Sequence, residues 1–198
     1  MTNVLLTYFE PFGVDKINAS AEIITSLPER IEDMCITKMM LPVVYPTAGD
    51  IIVSEALKGK YDIIIAFGQY AGANEIRLEC TAQNVIHMPK GDNARNIIEN
   101  AKISNEGADT ISSTFNAEAI KEARKESSVP VDISNDAGRY LCNSVLYRLL
   151  TCNSSAKICG FIHLPILKSQ ACMHKEGTPS FDEAELREAV IKILKNMV

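Results

Sequence analysis

The feature that most constrains the fold is an uninterrupted apolar run within the segment YDIIIAFG at residues 61–68. A strand that is apolar on both faces has to be covered on both faces, which is typical of buried sheets in α/β proteins. Further segments that read as strands occur at residues 3–7, 36–44, 75–85, 129–135 and 156–165. These segments predict a central sheet with most of its strands buried.

Helical segments alternate with these strands along most of the chain. We expect Ser20 to cap a helix that ends near Leu27, and Thr47 with Asp50 to form a capping box for a helix that ends near Leu57. Other helices are expected at residues 117–125, after residue 138, and from a box of Ser180 with Glu183 to the C-terminus. The alternation predicts an α/β fold: a three-layer α/β/α sandwich on a largely parallel, mixed central sheet, as a single domain over residues 1–198. Residues 86–115 are the exception and predict a long excursion with at most one edge strand.

Composition excludes several classes of function. The formal net charge is −5 and no basic run is present, which argues against a nucleic-acid partner. No apolar stretch approaches the roughly 18 residues of a membrane span, and the opening MTNVLLTYF does not have the pattern of a secretory signal. The six cysteines include no CxxC, and the three histidines have no metal-ligand spacing. We therefore expect reduced thiols, a cytoplasmic location, and no metal or cofactor.

Ligands of such sheets bind beyond the carboxyl ends of strands. Four loops are expected to leave strands there, after Thr7, Phe67, Ser134 and His163, and the site should lie where they meet. The segment SNDAGRYLCNSVLYRLL at residues 134–150 places Cys142 near a helix start. Free amides at that position stabilise a thiolate and an adjacent oxyanion. The alternative is that Cys142 is a small core residue, as most buried cysteines are.

A thiol nucleophile needs a base and a group that orients the base. His163 ends a strand and is a candidate base, although it could equally be a hydrogen-bonded histidine that closes the strand. Glu79 and Glu75 are both candidate acids by composition, and either could be a solvated strand residue. Phe9 and Phe12, in FEPFG, could either anchor a loop to the core or form a slot for a planar ring.

Read together, four ordered blocks of this sequence resemble the pyroglutamyl peptidase I family. TYFEPFG…INAS resembles TGFEPFGG…NPS, and GQYAGANEIRLECTAQN resembles GQAGGRTEITPERVAIN. SNDAGRYLCNSVLYRLL resembles SNTAGTFVCNHLMYGLL, and GFIHLPILKSQ resembles GFIHVPFLPEQ. The blocks are collinear and extend from Thr7 to Gln170.

The resemblance implies a cytoplasmic cysteine peptidase, often a homotetramer, that removes an N-terminal pyroglutamyl group from a peptide substrate. It implies three catalytic residues: Cys142 as nucleophile, His163 as base and Glu79 as the acid. It further implies four substrate-binding positions: Phe9 and Phe12 against the ring, Asn18 fixing a loop, and Gln69 beside the backbone that binds the lactam.

Several positions depart from the family pattern. GQAGGR reads Gly68-Gln69-Tyr70-Ala71-Gly72-Ala73, and Cys80 follows the expected acid where the pattern has arginine. The segment that resembles DDARIPDN, residues 86–93, lacks its arginine, for which Lys90 or Arg95 could substitute. The alternative function is therefore a non-catalytic or altered-specificity binding protein that keeps the fold and the ring slot.

Overall fold

The structure is a computed structural model that describes residues 1–197, with the backbone alone at residues 117–120 and 123. The strands are β1 (Thr2–Phe9), β2 (Arg30–Ile31), β3 (Met34–Leu41), β4 (Ile63–Gln69), β5 (Ile76–Glu79), β6 (Thr81–Gln83), β7 (Ile86–Met88), β8 (Ile98–Ala101), β9 (Thr110–Ser112), β10 (Val131–Ser134), β11 (Ile158–Leu164), β12 (Ile166–Leu167) and β13 (Ser180–Phe181). The α-helices are α1 (Ala19–Ser26), α2 (Thr47–Ala56), α3 (Ala117–Glu126), α4 (Leu141–Thr151) and α5 (Glu183–Lys195), and a 3₁₀ helix covers Lys168–Met173. None of the helices within residues 1–197 is both long enough and apolar enough to cross a bilayer.

Seven strands form the central sheet in the order β10-β5-β11-β4-β1-β3-β2. β11, β4, β1 and β3 are mutually parallel. β5 and β10 are parallel to each other, but β5 runs antiparallel to β11, and β2 runs antiparallel to β3. The predicted α/β class, with a mostly parallel mixed sheet, is confirmed.

The apolar residues of β4 alternate between two cores, which explains why the run is continuous. Ile63, Ile65 and Phe67 pack with α1 and α5 on one face. Ile64 and Ala66 pack with α2 and α4 on the other face. Each fully buried isoleucine contributes about 1.5–3 kcal/mol relative to an exposed one. The two-sided burial produces the three-layer arrangement.

The predicted N-caps of α1 and α2 are wrong. Asn18, not Ser20, caps α1: its backbone is extended, and its side-chain oxygen accepts a hydrogen bond from the Ser20 N–H at 3.0 Å. Pro46 precedes α2, and no side chain caps that helix, because Thr47 is already its first helical residue. An N-cap is defined by the backbone conformation of one residue, which the sequence pattern determines only to within a residue or two.

The predicted start of α5 is displaced as well. Ser180 belongs to β13, which pairs with β12. Asp182 is the N-cap instead, and Glu185 completes the capping box by accepting a hydrogen bond from the Asp182 N–H. The pairing of Ser180 with Ile166 therefore displaces the helix start from the Ser180–Glu183 box.

The predicted strand over residues 75–85 is divided, and the predicted excursion holds more strands than expected. β5 belongs to the central sheet, whereas β6 pairs with β9 and β7 pairs with β8, in two separate antiparallel ribbons. Residues 86–115 thus contain three short strands, not one at most. Their partners lie far away in sequence, so local alternation does not reveal them.

Candidate active site

Three of the four predicted loops leave the central sheet at the same end, where the parallel strands finish. β1, β4 and β11 are parallel, so the chain leaves all three at the same side of the sheet. The prediction is wrong for the loop after Ser134, because β10 runs in the opposite direction to β11. Residues 135–140 nevertheless connect to α4, whose first residues line a cavity together with residues from the other loops.

Cys142 is the second residue of α4 and is half-buried. Tyr140 precedes the helix in an extended conformation, and no side chain caps the helix. The first amide to bond back is that of Ser144, which donates to the Tyr140 carbonyl at 3.2 Å. The amides of residues 141–143 therefore precede the helical ladder, and their partial positive charge lies at the end of α4 that carries Cys142.

Asn143 fixes the start of α4 to the neighbouring ribbon, a role that the sequence did not suggest. Its side-chain nitrogen donates to the Gln83 and Val85 carbonyls, each at 2.8 Å, and its oxygen accepts from the Gln83 N–H at 2.8 Å. Asn143 is fully buried. The three bonds hold the Cys142 backbone in place.

His163 and Glu79 come together because β11 and β5 are antiparallel neighbours. The His163 Nδ1 lies 2.7 Å from the Glu79 Oε1, and both side chains are buried. Glu75, the other candidate acid, instead forms an ion pair with Arg77. A bond at Nδ1 leaves Nε2 as the nitrogen available to a sulfur.

The electrostatics of His163 indicate a charged imidazole. Burial alone would lower its pKa, but the charge and hydrogen bond of the Cys142 sulfur, together with Glu79, raise the pKa of His163 to about 9. The second oxygen of Glu79 is buried without a hydrogen-bond partner among the described residues. The His163 imidazole thus lies between the Glu79 carboxyl group and the Cys142 sulfur, and their attractions favour its charged form.

Gly68 provides the space in which the sulfur lies next to His163. Gly68 is the direct partner of His163 in the β4–β11 register. A Cβ added at Gly68 would lie 3.1 Å from the Cys142 sulfur and 2.8 Å from the Phe161 ring. Any larger residue would push the sulfur or the ring away, so the missing side chain is part of the site.

A small apolar cavity adjoins Cys142. All four residues predicted to bind substrate line it, together with three that the sequence analysis did not single out. The lining comprises Phe9, Phe12, Asn18, Val43, Gln69, Tyr140, Leu141 and Cys142. The rings of Phe12 and Tyr140 lie 6.5 Å apart at an interplanar angle of 30°.

Asn18 connects the two ends of the loop that carries Phe12. Its nitrogen donates to the Glu10 carbonyl at 3.1 Å, and its oxygen accepts from the Ser20 hydroxyl at 2.8 Å. The Ser20 hydroxyl in turn accepts from the Phe9 N–H at 3.2 Å. The polar atoms of Asn18 are thus engaged within the loop, whose shape they fix.

Gln69 ties the same loop to the sheet. Its oxygen accepts from the Ala19 N–H and from the Gln170 side chain, each at 2.8 Å. Its nitrogen donates to Asp15 at 2.8 Å, and Asp15 also contacts His174 at 3.1 Å. Gln69 therefore sets the position of the cavity wall through four other residues.

The two cations considered as substitutes for the family arginine do not line the ring cavity. Lys90 lines a wider cleft of about 520 Å³ that shares Phe12, Gln69 and Tyr140 with the ring cavity. Arg95 is held in a left-handed backbone conformation and lines neither space. Among the side chains that the structure describes, no group of three or more His, Cys, Asp and Glu is arranged to hold a metal ion.

Comparison with known proteins gives one consistent result. The family model described as pyroglutamyl peptidase matches residues 2–195. The chain is 33% identical to the pyrrolidone-carboxylate peptidase of Thermosipho africanus over 97% of this chain and 95% of that protein. It is 34% identical to the pyrrolidone-carboxylate peptidase of Staphylococcus haemolyticus over 97% of this chain and 92% of that protein.

Solved structures give the same result for the fold. The pyrrolidone carboxyl peptidase of Fervidobacterium islandicum superposes with a TM-score of 0.92 at 31% identity, covering 99% of this chain and 98% of that one. The pyroglutamyl peptidase I of Bacillus amyloliquefaciens superposes with a TM-score of 0.90 at 28% identity, covering 99% and 94%. The similarity extends along the whole chain and is not confined to the sheet.

Proposed function

Because the chain belongs to the pyroglutamyl peptidase family, we propose that Cys142, His163 and Glu79 are the catalytic residues with which it removes an N-terminal pyroglutamyl group. Members of this family are cysteine peptidases with that activity. One observation carries the assignment of residues. The buried Glu79–His163 pair adjoins the sulfur at the start of α4, beside a small apolar cavity lined by aromatic rings.

The reaction begins with an ion pair. His163 holds the proton of the thiol, and the Cys142 thiolate attacks the carbonyl that joins pyroglutamate to the next residue. The imidazolium then donates its proton to the departing amine, and water releases the acyl group with His163 as base. Glu79 keeps Nδ1 protonated and the ring oriented throughout. The charge on the tetrahedral intermediate develops next to the amides that precede the helical ladder of α4.

The cavity explains why a lactam ring is accepted. Pyroglutamate is small, nearly planar and uncharged, whereas an ordinary peptide N-terminus carries a positive charge. The cavity is lined by the rings of Phe9, Phe12 and Tyr140, and the amide side chains of Asn18 and Gln69 are already engaged in hydrogen bonds within the protein. Burial of a neutral polar group without a hydrogen bond costs about 2–7 kcal/mol, and burial of an unpaired ammonium group costs more. The site should therefore reject an N-terminal glutamine that has not cyclised.

The decisive experiment compares pyroglutamyl-naphthylamide with glutaminyl-naphthylamide as substrates. We expect turnover of the first, little or none of the second, and loss of turnover in Cys142→Ser. Cys172→Ser, which alters an exposed cysteine outside the cavity, is the matched control and should keep full activity. Turnover that survives in Cys142→Ser would remove Cys142 from its role.

Iodoacetamide provides a second test that needs no substrate. The proposed thiolate should be alkylated first among the six cysteines near neutral pH. Labelling that follows exposure alone, with Cys35 and Cys172 ahead of Cys142, would instead support the non-catalytic alternative.

We further propose that residues 1–198 act as a single domain and that the protein is a cytoplasmic homotetramer. The central sheet takes strands from residue 2 to residue 164, and α5 packs back onto it, which supports one cooperative unit. The cysteines within residues 1–197 are all unpaired, which suits a reducing compartment. The tetramer rests on the family resemblance. A single calorimetric transition, light scattering after gel filtration, and cell fractionation test the three statements in turn.

A further inference from the structure

Two aromatic rings flank the imidazole of His163 along β11. The Phe161 ring lies 4.8 Å from it, centroid to centroid, and the Tyr70 ring lies 5.5 Å from it at an interplanar angle of 51°. Phe161 precedes His163 in the strand, and the Tyr70 N–H donates to the carbonyl of Leu164, which follows it. The mechanism above uses neither ring.

Tyr70 differs from Phe161 in its exposure. Phe161 is fully buried, whereas Tyr70 is 45% exposed although it packs against an imidazole that is only 3% exposed. Tyr70 thus separates His163 from solvent. Tyr70 stands where the resembled motif GQAGGR has alanine, so the ring belongs to this chain's departure from the pattern.

The Tyr70 ring is itself held in place. The backbone carbonyl of Tyr70 accepts a hydrogen bond from the Ala73 N–H at 3.2 Å, which closes a turn. The Arg77 guanidinium lies 5.1 Å from the ring centroid, and Arg77 also pairs with Glu75. A ring fixed by its backbone at both ends and contacted by a cation can act as a rigid wall.

We propose that Tyr70 is a positioning residue for His163: its ring covers the imidazole on the solvent side and keeps it aligned between Glu79 and Cys142. This inference rests on the proposed role of His163. The ionisable side chains around the imidazole are Cys142 from α4, Glu79 and Arg77 from β5, and Tyr70 from the loop after β4. β4, the other neighbour of β11, has no ionisable residue, and α1 packs on the opposite face of the sheet.

The consequence of removing the ring follows from the balance at His163. The attractions of Cys142 and Glu79 outweigh burial and raise the pKa of His163 to about 9. Water that enters at Tyr70 weakens both effects and moves the pKa back toward its ordinary value of 6.5, which is downward.

The experiment compares Tyr70→Ala with Tyr70→Phe. In Tyr70→Ala we expect kcat to fall roughly ten- to a hundredfold, with KM changed less than about threefold, because the base loses its alignment and the ring cavity does not. The alkaline limb of the pH–rate profile should move to lower pH. Tyr70→Phe restores the ring and should recover most of both losses. A Tyr70→Ala variant with unchanged kcat and an unchanged limb would overturn the proposal, as would a Tyr70→Phe variant as impaired as Tyr70→Ala.

An NMR titration separates this proposal from the proposed function. The chain has three histidines, so the imidazole signal of His163 can be assigned by replacing His87 and His174 singly. A downward shift of its titration in Tyr70→Ala supports the positioning role even if wild-type protein fails to cleave pyroglutamyl substrates. A variant that melts at lower temperature while the His163 titration stays in place would show a merely structural ring and would overturn the proposal.

Discussion

The Nδ1 of His163 lies 2.7 Å from the Oε1 of Glu79, although 84 residues separate them along the chain. Both side chains are almost completely buried. A bond between a buried base and a buried carboxylate fixes one tautomer of the imidazole, so that the other nitrogen faces the sulfur. The relationship depends on β5 running antiparallel to β11 within a mostly parallel sheet.

Glu79→Gln should abolish most of the activity and spare the fold. The amide keeps the shape of the carboxylate but loses the charge that supports the imidazolium, so kcat should fall about a hundredfold or more while KM changes little. Steady-state kinetics and a melting curve measure the two effects. Glu75→Gln, in the same segment but paired with Arg77, is the matched control and should stay within about threefold of wild type. Equal losses in the two variants would contradict the assignment of the acid.

The pH dependence of kcat/KM should show an alkaline limb near pH 9. The pKa of His163 is raised to about 9, so the imidazolium is present below that pH and is lost as the pH rises through it. Without the imidazolium no group protonates the leaving amine, and the rate falls. Cys142→Ala removes the sulfur whose attraction contributes most to raising the pKa of His163, so that pKa should fall. NMR of the imidazole carbons measures this, and a titration unchanged in that variant would rule out the ion pair.

Gly68→Ala should impair catalysis at a position that makes no polar contact with substrate. The new methyl group would lie 2.8 Å from Phe161 and 3.1 Å from the Cys142 sulfur, so the ring has to shift and the sulfur has to yield by a few tenths of an ångström. Displacement of a nucleophile by a fraction of an ångström lowers kcat by roughly ten- to a hundredfold. The rate of iodoacetamide labelling at Cys142 should fall in parallel. If the kinetics of this variant equal those of wild type, the new methyl group is accommodated without any effect of the Cys142 position on catalysis.

Sequence patterns predicted the buried core of the sheet and placed Cys142 near the start of a helix. The run at residues 63–67 predicted a two-sided strand, and β4 is buried on both faces. The start of α4 before Cys142 was visible in the turn residues that precede it. Local sequence patterns did not distinguish Glu79 from Glu75. That choice depends on the register of β5 with β11, which no local pattern encodes.

Other features of the site arise from long-range contacts and were missed for that reason. The direction of β10 is set by its pairing with β5, so the loop after Ser134 could not be placed from its own residues. The contact of Gly68 with the sulfur and that of Tyr70 with His163 follow from the position of β4 beside β11. In a sequence, a glycine after an apolar run indicates the end of a strand. Only the tertiary structure reveals which atoms occupy the space that a side chain at that position would fill.

Tyr140→Phe should weaken substrate binding and leave the chemistry intact. The Tyr140 ring lines the cavity, and its hydroxyl donates to the Gly91 carbonyl at 2.7 Å, which ties the wall of the cavity to residues 86–93. Loss of one such bond amounts to about 0.5–1.5 kcal/mol, so KM should rise roughly two- to tenfold while kcat stays near wild type. Tyr147→Phe is the matched control: Tyr147 lies in α4, the helix that Tyr140 precedes, and its hydroxyl donates to the Ala108 carbonyl at 2.9 Å, away from the cavity. That variant should melt at lower temperature with KM unchanged. If KM rises equally in both, the effect comes from general loosening of α4 and not from the wall of the ring cavity.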